Sequence, residues 1–285
     1  MSINERLSVN NPFGRLSPLG LVATVSLVTL SAVGLAAGVG KVTVIAWVAF
    51  VAMATGAFAG ARASTSYPVR LIWGYGLASG AMVASSAVFL LPQAVGLSPR
   101  VGGFGVATGL LLGYAAHIIG HRLGHVDIGL DLTAAQISAH ALAAGAIIGL
   151  VYGAMPEVGL LLGVAIVSHK GPAGYAAAHR LRSGGLPVSA LLLPAAGVGL
   201  TAIPAALLPV PEIAALNAAV FGFAAGIFLH VAMDFLPSCE VGGEVDTVCS
   251  LSEHSHAQLD RLRMHAVAST LVGGVAVFVA WLVVA

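Results

Sequence analysis

The stretch VGLLLGVAIVSHKGPAGYAAA, Val158–Ala178, is an apolar run with a histidine, a lysine and a proline set in its middle. An α-helix needs roughly 20 mostly apolar residues to cross the hydrocarbon core of a bilayer, and this run has that length. Eight further runs of the same kind surround it: Leu19–Val39, Val42–Ala61, Leu71–Val95, Val101–Gly120, Leu132–Gly153, Leu186–Leu208, Ile213–Phe235 and Ala266–Val284. The chain is 58% hydrophobic and 8% charged, with mean hydropathy +0.98, whereas soluble domains carry about 25% charge. The sequence therefore predicts an all-α integral membrane protein of nine transmembrane helices, with no room for a soluble domain. The first run follows no short signal peptide with a cleavage site and is long enough to remain as a helix. Segments such as Gly56–Ala61 and Gly222–Gly226 read as packing surfaces, because small residues let helix backbones approach in lipid.

Nine spans sort the basic residues. Arg6, Arg15, Arg62, Arg70, Arg122, Arg180, Arg182, Arg261 and Arg263 fall on the N-terminal side, and only Lys41 and Arg100 on the other. The excess of basic residues marks the cytoplasmic face. The expectation is a multi-pass protein of the cell membrane, N-terminus cytoplasmic and C-terminus outside, with cytoplasmic loops near 117–131 and 236–263. Cys239 and Cys249 lie in the second loop, where thiols stay reduced, so no disulfide is expected. The arginines are membrane-edge charges facing the lipid bilayer, and nothing points to nucleic acid. No G-x-x-x-x-G-K-[ST] motif occurs, which removes the usual ATP cradle.

Ionisable groups inside a membrane are costly and mark a site or pathway by default. His140 lies in the fifth run, His169 and Lys170 near the middle of the sixth. The two runs are consecutive and antiparallel, so both imidazoles can meet near mid-membrane. Pro172 cannot donate to the carbonyl of Ser168, which frees an acceptor beside His169; a proline kink satisfied by packing is the plainer reading. His230 and Asp234 are four apart on one helix face. Imidazole is a common transition-metal ligand, although a buried histidine also serves simply to bridge helices. Lys170 opposes a nearby dication unless an acceptor draws its charge away. His117, His121 and His125 recur at every fourth residue, a stripe on a helix, with Asp127 and Asp131 beyond. They suit a relay into the cytoplasm, or a solvated loop. Cys239, Cys249, His254 and His256 are metal-binding residue types without zinc-finger spacing.

Taken together, these segments resemble the ZIP family of divalent-metal transporters, whose two adjacent helices carry His-Asn-x-Pro-Glu-Gly-like motifs. The first corresponds to His140-Ala141-Leu142-Ala143-Ala144-Gly145 and the second to His169-Lys170-Gly171-Pro172-Ala173-Gly174, followed by Ala176, Ala178, Leu181, Arg182 and Gly185. Phe89-Leu90-Leu91-Pro92-Gln93-Ala94 is similar to the end of the family's second core helix. Phe228-Leu229-His230 through Asp234-Phe235-Leu236-Pro237 is similar to the end of its seventh.

The resemblance implies an eight-helix transport core over 42–285, preceded by an extra helix within 1–41. It implies a permease, not an enzyme, that moves a divalent metal ion, zinc or a similar one, into the cytoplasm by alternating access. The metal is cargo, and no resident cofactor is implied. His140 and His169 would be primary ligands supported by His230 and Asp234, with Ser168, Lys170 and Pro172 along the path. His117, His121, His125 and His179 would form the inner exit. Monomer and homodimer both stay open.

Departures from the pattern define the alternative. Ala144 and Ala173 replace both motif glutamates, Ala141 and Ala143 replace the Asn and Pro of the first motif, and Lys170 replaces a polar or acidic residue. A single or degenerate metal site follows, or a non-transporting scaffold or regulator that has lost the ion site. A serine-protease reading of Ser79 with His140 fails at Leu77, which stands where the nucleophile's turn requires glycine.

Overall fold

The structure is a computed structural model, and it describes residues 16–62, 68–123, 132–155, 160–183, 185–209, 211, 213–234, 236 and 256–284. Helices account for nearly all of the described residues, and no strand occurs among them. In chain order they are α1 (Pro18–Ala36), α2 (Gly40–Arg62), α3 (Pro68–Ser85), α4 (Leu91–Leu97), α5 (Pro99–Leu123), α6 (Leu132–Ala154), α7 (Leu160–Val167), α8 (Lys170–Ser183), α9 (Leu192–Ala206), α10 (Ala214–Asp234) and α11 (His256–Val284). A wide π-turn, Ser86–Leu90, joins α3 to α4, and a 3-10 turn, Val188–Leu191, leads into α9. Without water to hydrogen-bond the backbone, a segment in lipid must close its hydrogen bonds internally, so apolar runs of this length become helices.

Among the described residues, seven helical stretches are long and apolar enough to cross a membrane: Pro18–Ala36, Gly40–Arg62, Val69–Leu97, Ile137–Ala154, Val188–Ala206, Ala214–Asp234 and Asp260–Val283. Two of the nine expected spans fall outside this set. The fourth is the continuous helix α5, whereas the sixth is divided between α7 and α8. The ninth also departs from expectation. Its helix starts at His256 and not near Ala266, so the expected 236–263 loop is helical in its last part. Likewise α5 carries His117 and His121 on regular helix and ends only at Leu123. Polar residues at the end of an apolar helix can prolong it, since the backbone hydrogen bonds continue beyond the apolar stretch.

The chain divides into two compact units. The first holds Met1–Ser64, Arg122–Glu157 and Ala173–Val210. In it α9 packs against α1, α2 and α6. The Oγ1 of Thr201 donates to the carbonyl of Leu142 at 2.6 Å, and the indole of Trp47 donates to Ser31 Oγ at 2.9 Å. Ser17 starts α1 as its N-cap, accepting from Gly20 N–H, with Pro18 in the first turn. Gly38, at φ +82°, turns the chain from α1 into α2, a conformation that glycine adopts without strain. The Arg182 guanidinium donates to the carbonyl of Ala61 at the end of α2.

The second unit holds Thr65–His121, Val158–Pro172 and Pro211–Ala285. Here α3 packs along α11, and α10 packs on α3 and α4. Small residues set both the α3–α11 and α5–α10 seams. A Cβ on Gly80 would strike Thr270 and stand 2.8 Å from the backbone nitrogen of Gly274, and one on Gly109 would stand 3.0 Å from the Cα of Gly226. Helices approach this closely only where side chains are missing.

Candidate functional site

The Val158–Ala178 run does not form one helix. α7 ends at Val167, Ser168 and His169 form a turn, and α8 begins at Lys170. Pro172 accounts for the position. An unbroken helix would need its missing N–H to reach Ser168, and its ring would collide with that carbonyl. The sequence left a packed kink and a freed Ser168 carbonyl both open, each within one running span. Instead, Pro172 sits in the first turn of a new helix, where a missing N–H costs little. His169 and Lys170 are each 1% exposed, and Lys170 is among the largest fully buried side chains. Gly74 of α3 backs the same segment, since a Cβ there would stand 3.3 Å from Pro172 Cβ.

A second polar point lies at the end of α10, in the same unit. His230 Nε2 stands 3.2 Å from Asp234 Oδ2, as the i, i+4 spacing predicts. The imidazole lies over α5 at Gly113, where a Cβ would stand 2.7 Å from His230 Cδ2. Contacts between α5 and α10 pair Gly105 with Gly222, Gly109 with Gly226, and Gly113 with His230. Both numbers rise together, so the helices run parallel. One more turn in this register places position 117 level with position 234.

His140 is half-buried in α6 and belongs to the first unit, with His179 half-buried in α8. Ala141 beside it is buried, and Gly197 of α9 closes on its methyl group. Ala144 and Ala173, at the motif glutamate positions, are likewise buried. His169, Lys170, His230 and Asp234 belong to the second unit. Among the described residues, no group of three or more His, Cys, Asp or Glu side chains could hold a metal ion. Of the expected ligands, His230 and Asp234 form a close pair. His125, Asp127, Asp131, Cys239, Cys249 and His254 lie outside the described residues.

The Oγ of Ser79 is buried and donates to the carbonyl of Ala232 at 2.7 Å, so this hydroxyl bridges two helices. Two further features escape a reading of the sequence. The indole N–H of Trp73 donates to His265 Nδ1 at 3.1 Å, across 192 positions of chain; no local pattern could show it. The π-turn before Pro92 had one clue, since Pro92 cannot supply the next backbone donor. An average apolar run conceals such a turn.

Fold and polar points together define an all-α protein with several helices fit to cross a membrane, and a broken helical segment with buried His169 and Lys170 at the break. No protein-family model matches the chain, and no curated protein matches it.

Proposed function

We propose that the chain is a divergent ZIP-like permease that admits a divalent transition metal ion, zinc or a similar one, to the cytoplasm by alternating access. The observation that carries this reading is the helix break at Ser168–His169, with His169 and Lys170 buried beside it. Broken helices at membrane depth are tolerated where backbone and side chains meet protein or line a cavity, and discontinuous helices build the ion sites of many transporters. An imidazole and an ammonium in such a place are expensive, and a transport path is the default reason to keep them.

His169 is the proposed ligand at the break, His140 the one contributed by α6. His230 and Asp234 are an imidazole–carboxylate pair of the kind that holds zinc-like ions. The register of α5 and α10 supports a path past this pair toward positions 117 and 121. Nine spans, a cytoplasmic N-terminus and location in the cell membrane belong to the same proposal.

A non-transporting scaffold or regulator is the second reading. Its support is that Ala144 and Ala173 are packed into the apolar interior and that no three ligands gather among the described residues. Uptake of radioactive zinc into proteoliposomes separates the two. Uptake above empty vesicles that falls to background in a His140→Ala/His169→Ala double variant supports the permease. Wild-type uptake at background supports the scaffold.

A further inference from the structure

Along the α5–α10 seam, Cβ atoms on Gly105 and Gly109 of α5 would meet the main chain of Ala219 and Phe223, and of Phe223 and Gly226, on α10, whereas one on Gly102 would strike the main chain of Ala94 on α4. Gly113, the next in the series, is different. All three of the nearest atoms to its Cβ position belong to the His230 side chain: Cδ2 at 2.7 Å, Cγ at 2.9 Å and Cβ at 3.1 Å. These are the root and near edge of the ring, not the tip of a flexible chain, so a methyl group at 113 has no soft neighbour to displace. The same imidazole has its Nε2 3.2 Å from Asp234 Oδ2, with the His230 side chain 13% exposed and that of Asp234 38% exposed.

We propose that Gly113 is a positioning residue: its missing side chain is the seat of the His230 imidazole, and that seat holds the ring against Asp234 as one imidazole–carboxylate unit. Helix approach explains Gly105 and Gly109 but not Gly113, which makes room for a ring and not for a backbone. A rotamer of His230 that avoided a Cβ at position 113 would swing away from α5 and change the Nε2–Asp234 geometry. Geometry of this kind governs how well a paired imidazole and carboxylate receive a cation, because placement errors of about 1 Å are costly at polar sites. The functional consequence rests on the transport reading; the seat itself does not.

The test is a double-variant cycle on the purified full chain with Gly113→Ala, His230→Ala and the pair. Thermal unfolding is followed by tryptophan fluorescence and zinc uptake is measured in proteoliposomes. Gly109→Ala, with and without His230→Ala, serves as the seam control. We expect Gly113→Ala to lower the unfolding midpoint by about 3–6 °C and uptake by at least about fivefold, the order of one displaced polar contact. Most of the loss in midpoint should vanish when His230 is already alanine, which removes the ring and leaves only the Cβ at 3.1 Å. Gly109→Ala should cost the same in both backgrounds. Equal effects of Gly113→Ala with and without His230 overturn the proposal and reduce Gly113 to another contact glycine. Wild-type uptake at background would defeat the transport reading alone, since the unfolding cycle still reports the seat.

Discussion

The hydroxyl of Ser79, on α3, donates to the main-chain carbonyl of Ala232, on α10, at 2.7 Å. Ala232 O belongs to the last turns of α10, whose terminal carbonyls lack intrahelical donors; the bond therefore ties the α10 end to α3. Replacing Ser79 with alanine should lower stability by about 0.5–1.5 kcal/mol, read as the unfolding midpoint in detergent. It should leave zinc uptake within about twofold, because the hydroxyl serves packing. A loss of uptake at unchanged stability would show that Ser79 belongs to the path.

Gly80 and Gly103 make opposite predictions although both are glycines in apolar helices. A Cβ on Gly80 meets Thr270 and Gly274 main chain, which cannot yield without parting α3 from α11, whereas Gly103 has open space around its Cβ position. Gly80→Ala should destabilise by about 1–3 kcal/mol. Gly103→Ala should be neutral or stabilise by up to about 1 kcal/mol, from helix propensity alone. Thermal unfolding of the two single variants decides it, and equal shifts would refute the contrast.

The class of the fold was legible because lipid leaves the backbone few choices: an apolar run near 20 residues has to be a helix, and α6 and α10 lie close to their expected bounds. The His230–Asp234 pair was legible for a similar reason, since a four-residue spacing places side chains together whatever surrounds the helix. What was not legible depends on neighbours distant in sequence. Pro172 is compatible with a kink or with a break, and hydropathy cannot choose. Gly113 reads as one more small residue until the ring of His230 lies against it. The bond from Ser79 to the carbonyl of Ala232 required the placement of two helices far apart in sequence, which no spacing encodes.

Lys170 is almost completely buried, and dehydration of an ammonium opposes burial. Lys170→Met keeps a similar apolar volume and removes the charge. The unfolding midpoint should rise, with a gain of at most about 3 kcal/mol by the insertion cost of a lysine at membrane depth. Zinc uptake should reach half-maximum at a different zinc concentration, because an ammonium one residue from His169 repels a dication. A falling midpoint would mean that the amine is bonded to an acceptor whose loss outweighs dehydration. An unchanged zinc dependence would remove Lys170 from the path.

Pro172 should be the cause of the break between α7 and α8, and its replacement by alanine tests whether local chemistry or packing decides. Alanine restores an N–H that can reach Ser168 O and removes the ring that collides with it. If the proline sets the break, residues 168–172 close into an unbroken ladder, and amide hydrogen exchange over peptides covering 165–172 slows by at least about tenfold, equivalent to roughly 1.4 kcal/mol of added protection. Stability should then hold or rise, because the gain in helix propensity offsets the lost contact of Pro172 with Gly74. Zinc uptake should fall even so, since closing the ladder removes the turn that presents His169. Unchanged exchange with reduced stability would assign the break to packing against α3. Slowed exchange with undiminished uptake would separate the break from transport and leave the buried His169 without a role that depends on it.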